Sequence, residues 1–211
     1  MQLPSSDCAL CPRLVAFREA NEAKFPEFFN GAVPSFGPLE AGLLVVGLAP
    51  GLKGANATGR PFTGDYAGDV LYPALVAEGL AKGEYKARSD DGLEMLDVRI
   101  TNAARCVPPE NKPTTQEIAT CNPFLANEIL GMPKLKVVLS LGGVSHKAVL
   151  KALGYKQSYV PFVHGQVHAL ERHDFVLLDT YHTSRYNVNT GRLTYEMFAE
   201  VIKTAKGLLE K

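Results

Sequence analysis

The sequence predicts an α/β fold, a three-layer αβα sandwich around a mainly parallel four-stranded sheet. Three observations carry this: short continuous apolar runs recur along the chain, helical patterns separate them, and the runs close on glycine, carboxamide or histidine. Runs of this kind suit strands buried on both faces. Strands alternating with helices imply right-handed crossovers and helices on both sides of a parallel sheet. Ligands then bind beyond the carboxyl ends of the strands.

The first strand is Leu43-Leu-Val-Val-Gly-Leu48, closing on Ala-Pro-Gly51. Asp65 to Leu80 follows as a helix with apolar Val70, Leu71, Ala74 and Leu75, and a weaker second strand spans Leu96 to Thr101. Thr114 with Glu117 three residues on forms a capping box for a helix from Thr115. Asn122 before Pro123 reads as a fresh cap and first turn, so a break is expected near Cys121. Val137 to Leu141 is the third strand, ending on Gly142-Gly143, and Ser145 to Leu153 the helix after it. Gln166 to Leu170, with a turn at Arg172 to Asp174, is expected to add a hairpin at one edge. The fourth strand, Phe175 to Thr180, ends on Tyr181-His182. Thr194 caps the last helix, Glu196 sits in its first turn, and Met197, Phe198, Val201, Ile202, Ala205, Leu208 and Leu209 form one apolar stripe. With no internal repeat, low-complexity tract or linker, residues 1–211 are expected to form a single domain.

Composition narrows the function. A chain of 211 residues that is 46% hydrophobic, with mean hydropathy −0.02, has the material for one ordinary core, which excludes disorder. No apolar run approaches the ~18 residues of a spanning helix. The start, Met1 to Leu14, lacks the basic-then-apolar pattern of a secretory signal, so a cytoplasmic protein is expected. Equal counts, 22 Lys and Arg against 22 Asp and Glu, argue against holding nucleic acid or anionic lipid by bulk charge.

Local charge is different. Gly51 to Gly64 carries Lys53 and Arg60, Arg99 to Gln116 carries Arg99, Arg105 and Lys112 against Glu110, and Tyr181 to Tyr195 carries Arg185 and Arg192. Each stretch is +2 and each lies at a predicted strand end, so the reading is a basic mouth on an acidic body, suited to a polyanion. Taken singly, each arginine reads better as a solvated surface residue. No Gly-Lys-Ser or Gly-Lys-Thr closes the Gly51–Gly64 loop and Gly-x-Gly-x-x-Gly is absent, which removes the support for nucleotide hydrolysis.

Four cysteines in a reducing compartment are poor candidates for two disulfides. Cys8-Ala-Leu-Cys11 is a chelating pair; 94 residues separate it from Cys106 and 14 more separate Cys106 from Cys121. Four thiolates suit zinc or an iron–sulfur cluster, and the spacing leaves both open. Unligated thiols are the plainer reading, disfavoured because the polar, proline-bounded segment around Cys8 and Cys11 has little other reason to fold.

Three stretches together carry a resemblance. Gly47-Leu-Ala-Pro-Gly51 with Asn56-Ala-Thr-Gly-Arg-Pro-Phe-Thr-Gly-Asp65, Ile100-Thr-Asn-Ala-Ala-Arg-Cys-Val-Pro-Pro-Glu-Asn-Lys-Pro113, and Tyr181-His-Thr-Ser-Arg-Tyr-Asn-Val-Asn-Thr-Gly-Arg-Leu-Thr194 resemble the motifs of the type 5 uracil-DNA glycosylases. The cysteine pattern is similar to the [4Fe-4S] ligand set of the type 4 and type 5 branches. Leu48 stands where type 4 enzymes carry Glu, and an apolar side chain cannot orient water. Thr183 stands where many relatives carry Pro.

The resemblance implies the uracil-DNA glycosylase fold, with the N-terminal segment stapled by a structural [4Fe-4S] cluster on Cys8, Cys11, Cys106 and Cys121. It also implies excision of uracil, and of other deaminated bases such as hypoxanthine and xanthine, from single- or double-stranded DNA by a monomer. His182 would donate to the departing base and Asn102 would pair with its edge. Phe62 would stack on it, against the rival reading of a core anchor. Gly47 and Gly51 would give backbone approach. Asp65 would balance the sugar cation or position water, unless it only caps the next helix. Arg60, Lys112, Ser184 and Arg185 would contact DNA. Of the lysines, only Lys53 and Lys112 lie in these motifs and both read as phosphate contacts, so water rather than an amine is the expected nucleophile. The rivals from other classes are a non-catalytic DNA-damage-binding protein using the same pocket and a zinc-stabilised RNA-binding module.

Overall fold

The computed structural model describes residues 2–210 of the protein. In chain order the elements are α1 (Pro12–Lys24), β1 (Leu43–Gly47), α2 (Ala55–Thr58), α3 (Tyr66–Ala77), β2 (Ala81–Lys82), β3 (Glu94–Met95), β4 (Val98–Asn102), a 3-10 turn (Pro109–Asn111), α4 (Thr115–Leu130), β5 (Val137–Leu141), α5 (Gly143–Ala152), β6 (Val167–Ala169), β7 (Val176–Thr180), α6 (Arg185–Asn189) and α7 (Tyr195–Leu209). The main sheet has the order β4-β1-β5-β7-β6. Its first four strands are parallel, and β6 joins β7 antiparallel. The four predicted strands are therefore the parallel core, and the expected edge hairpin makes the sheet five-stranded rather than four.

Alternation along β1 builds the sandwich. Leu43 and Val45 face a cluster with Leu71, Leu75, Phe198 and Ile202 of α3 and α7. Leu44 and Val46 face Leu125, Ile129, Val149 and Leu150 of α4 and α5. Phe198 is fully buried, and burial of such a side chain contributes about 1.5–3 kcal/mol relative to exposure. No helix among the described residues is long and apolar enough to cross a membrane.

Three expectations are corrected. The second strand begins at Val98, because Leu96 lies exposed and Asp97 turns to accept from Gly42 N at 2.6 Å. The helix from Thr115 is continuous through Pro123. Asn122 is no cap there: its buried Nδ2 donates to Ala148 O of α5 at 2.8 Å, and that anchorage carries α4 past the donor that proline removes. The N-terminal segment also has reasons of its own to fold. Arg13 pairs with Glu117 of α4 at 2.7 Å, buried Arg18 donates to Cys8 O at 3.0 Å, and Leu14 is buried.

Candidate active site

The parallel register sets Gly47 opposite Asn102 and Leu141 opposite Thr180, so the loops after all four strands share one edge of the sheet, as expected. Pairing continues past β1 and β4, with Ala103 N donating to Gly47 O and Ala104 N to Leu48 O, both at 2.9 Å. That ladder holds Asn102 rigidly. Its side chain is buried, and among the described residues Oδ1 has no hydrogen-bond partner. A buried orphan acceptor of this kind costs about 1–3 kcal/mol. Gly47 is required beside it, since a Cβ there would collide with Asn102 Oδ1 and with the Phe62 ring.

Phe62 is buried and holds φ +53, a left-handed conformation uncommon outside glycine. The loop is fixed around it: Tyr72 Oη donates to Pro61 O at 2.5 Å and Tyr85 Oη to Phe62 O at 3.2 Å. The ring stands 6.1 Å from that of His182, centroid to centroid. Phe62, Asp65, Asn102 and His182 line one small cavity with Ala49, Pro50, Ala55 and Ala67. The two readings of Phe62 are thus compatible, because it is packed into the loop and still walls the cavity.

His182 lies two residues beyond β7, and its carbonyl accepts from Asn187 Nδ2 at 2.8 Å. Among the described residues neither ring nitrogen has a protein partner. Burial lowers its pKa to about 4, so the imidazole is neutral near pH 7. A neutral imidazole still carries one N–H donor.

Asp65 caps α3, its Oδ1 accepting from Gly68 N at 3.2 Å. Its Oδ2 instead faces Gly51 and Gly54, where a Cβ would stand 3.4 Å and 2.7 Å away. One oxygen holds the helix and the other looks into the cleft, while burial raises the carboxyl pKa above its ordinary value. An outer cleft continues from the cavity, lined by Leu48, Gly51, Asp65, Tyr66, Asn111, His182, Ser184 and Arg185 among others. Ser184 caps α6 by accepting from Asn187 N at 3.4 Å, and exposed Arg185 lies over the Tyr66 ring at 5.3 Å. Lys112 is exposed, 3.8 Å from the equally exposed Glu110.

The basic mouth is smaller than the sequence count implies. Arg60 is buried and bidentate to Asp91 at 2.8 and 2.7 Å, with Phe36, Tyr72 and Tyr85 around its guanidinium. A cation so enclosed does not reach a phosphate, so Arg60 is corrected from DNA contact to loop anchor. Arg99 and Arg105 both donate to the fully buried Glu128, leaving Lys53, Lys112, Arg185 and Arg192 outside these buried pairs. Two cleft residues went unrecognised in the sequence. Tyr66 followed Asp65 with no pattern of its own; Asn111 holds φ +56 after Glu110 at +55, and the one clue was that Asn tolerates the left-handed region.

Cys8, Cys11, Cys106 and Cys121 line a single cavity with apolar walls that include Pro4, Leu10, Leu14 and Phe124. All are free thiols, and burial pushes that of Cys106 up to about 11. Among the described residues no three of these sulfurs come within 4.8 Å of one another. A single tetrahedral zinc with Zn–S near 2.3 Å would hold its sulfurs about 3.8 Å apart. The soft, all-sulfur donor set around one cavity, spread more widely than a single zinc would hold it, therefore fits a polynuclear iron–sulfur group.

Fold and site together define an α/β protein with a small cavity, lined by Phe62, Asp65, Asn102 and His182, beyond the carboxyl ends of its parallel strands. Residues 34–206 match the uracil DNA glycosylase superfamily. The chain is 44% identical over 208 residues to the type-5 uracil-DNA glycosylase of Thermus thermophilus, covering 95% of this chain and 93% of that protein. To the type-5 uracil-DNA glycosylase of Pyrobaculum aerophilum it is 40% identical over 203 residues, 94% of this chain and 88% of that one. A type-4 uracil-DNA glycosylase of Sulfurisphaera tokodaii is 32% identical over 190 residues, 87% of this chain and 79% of that one. The chain belongs to the uracil DNA glycosylase superfamily and, within it, to the type-5 family.

Proposed function

We propose that this protein is a monofunctional DNA repair glycosylase that hydrolyses the N-glycosidic bond of uracil flipped out of DNA, leaving an abasic site. The observation that carries this is the orphan Oδ1 of Asn102, buried in the same cavity as Phe62 and His182. A carboxamide pairs with uracil through two hydrogen bonds, Oδ1 accepting from N3–H and Nδ2 donating to O4. Phe62 offers the ring face on which an extruded base stacks.

The bond between C1′ and the base nitrogen breaks with its electron pair passing to the base, which becomes an anion. His182 stabilises that charge by donating to the base O2, a contact whose worth rises in the transition state. Asp65 Oδ2 balances the cationic sugar, water adds to C1′, and the proton it loses passes through solvent to the uracil anion. Leu48 has no part in orienting that water. Ser184, Arg185 and Lys112 engage the DNA strand from the rim of the cleft, positioning it without reading sequence.

Gly51 leaves the cleft open beside Asp65, which supports entry of larger deaminated bases, hypoxanthine and xanthine. The four cysteines would hold a [4Fe-4S] cluster, whose contribution when bound is to staple the N-terminal segment to the loop after β4 and to α4. The protein acts as a monomer. Incubation with duplexes carrying a single uracil, hypoxanthine, xanthine or thymine, followed by alkaline cleavage, tests the activity: scission at the first three and not at thymine is expected, and binding without scission indicates a damage-binding protein instead. Iron with acid-labile sulfide in anaerobically prepared protein supports the cluster, and stoichiometric zinc without iron contradicts it.

A further inference from the structure

Behind His182 lies a polar assembly that no step above uses. Asp179 of β7 is fully buried, and both its oxygens are occupied. Oδ1 accepts from Ser140 Oγ at 2.6 Å and pairs with His146 Nδ1 at 2.8 Å; Oδ2 pairs with His168 Nε2 at 3.0 Å and accepts from Val163 N at 3.3 Å. His146, His168 and Asp179 are close enough to suggest a metal site. The ligand atoms are already bonded to one another, however, so the cluster is a hub that ties segments together. What it ties down is the segment from Val160 to Gly165. His146 Nε2 meets Val160 O at 3.1 Å, Asp179 takes Val163 N, and Gly165 N donates to Asp179 O at 2.8 Å.

That segment delivers His164 to the end of β7. Strand pairing stops at Thr180, which leaves the next amide, Tyr181 N–H, without a sheet partner. His164 Nδ1 accepts from that amide at 3.2 Å and stands 3.3 Å from Thr180 Oγ1. Its ring stacks on Tyr181 with centroids 4.8 Å apart and planes 2° from parallel, and the Arg192 guanidinium also lies over Tyr181 at 4.7 Å. Tyr181 is the residue immediately before His182.

We propose that His164 is a positioning residue for excision: by accepting the Tyr181 amide and stacking on its ring, it fixes the backbone that aims His182 at the departing base. The inference rests on His182 having the role given above. An amide donor at Nδ1 requires that nitrogen to be unprotonated, so the proton sits on Nε2. Protonation would turn the acceptor into a donor and break the bond. Burial already holds the His164 pKa below 6.5. The charged and titratable groups on the elements packed around it are Arg192 over Tyr181, and Asp179, His146 and His168 in the hub.

The test is single-turnover excision of uracil from a duplex by the wild-type protein, His164→Phe, His164→Asn and His182→Ala, from pH 5 to 8. His164→Phe keeps the stack and loses the acceptor; its maximal rate is expected to fall at least tenfold, with the half-saturating protein concentration within twofold of wild type. His164→Asn, which restores an acceptor that does not titrate, is expected to recover most of that rate and to lose the wild-type decline on the acid side. Wild-type rate and pH profile in His164→Phe, beside an impaired His182→Ala, overturn the inference and leave the proposed function standing. Full rate in His182→Ala overturns the reading on which it rests. Should His164→Phe fail to fold, His164→Asn decides alone, since an unchanged acid limb contradicts the proposal.

Discussion

The two sides of the sheet's carboxyl edge treat buried polar groups in opposite ways. In Glu128 and Asp179 both carboxylate oxygens are occupied, by Arg99 and Arg105 in the first and by Ser140, His146, His168 and Val163 in the second. In the cavity, among the described residues, Asn102 Oδ1 is left without a protein partner and the ring nitrogens of His182 make no hydrogen bond, only its carbonyl accepting, from Asn187. Saturated groups stabilise one arrangement of the chain and are unavailable to a ligand. Open ones are costly unless a ligand completes them. Orphan atoms also occur outside the cavity, at Asn56, Arg105, Ser145, His173 and Thr183; what sets Asn102 and His182 apart is that their open groups line one cavity.

The largest effect is expected where a saturated group is broken. Glu128→Ala leaves Arg99 and Arg105 as uncompensated buried charges, and loss of one partner in such a pair costs about 3–5 kcal/mol, to be read from denaturant unfolding. A wild-type midpoint would place Glu128 among groups that water can replace. On the open side, Gly47→Ala forces Asn102 or Phe62 aside; misplacement of about 1 Å can cost roughly a hundredfold in rate, so single-turnover excision should fall by that order while the circular dichroism spectrum stays native.

Asp65 belongs to both sides at once, one oxygen a cap and the other open. Asparagine caps as well as aspartate but cannot balance a cation, so Asp65→Asn is expected to keep the melting temperature and lose uracil excision at least tenfold. Full activity with this change would make Asp65 a cap alone. A smaller effect concerns pH. The pKa of His182 is lowered from 6.5 to about 4 in the fold, so the unfolded chain binds the extra proton first as pH falls and stability declines from about pH 6.5 towards pH 4. Thermal melts over that range should be shallower in His182→Ala. The smallest changes belong to the rim, where Arg185→Ala or Lys112→Ala should weaken binding to any DNA and reduce the salt slope by about one each.

Much of this was legible in the chain because strand ends announce themselves: apolar runs stopping at Gly47, Asn102, Gly142 and Thr180 mark one edge of a parallel sheet, and the residues beyond them meet there. The edge strand and the capping box of α4 were legible for the same local reasons. Pairing was not. Nothing near Arg60 in sequence indicates Asp91, thirty-one residues on, and Glu128 gave no sign of collecting Arg99 and Arg105, so three arginines that looked available to DNA are neutralised by long-range contacts. Pro123 misled because the anchor that keeps α4 continuous, Ala148, lies in another helix. Helix α1 was hidden by a weak apolar pattern, its stability coming from the Arg13–Glu117 pair and the burial of Leu14 and Arg18.

The central claim is that the open cavity around Asn102 and His182 breaks the glycosidic bond of uracil, and release of free uracil from a duplex under single-turnover conditions tests it most directly. Wild-type protein is expected to release one uracil per duplex and leave an alkali-labile site, with His182→Ala slower by roughly a hundred- to a thousandfold, the usual cost of losing one such donor. Equal release by the two proteins, or tight binding of the uracil duplex by the wild type with no uracil released, would contradict it.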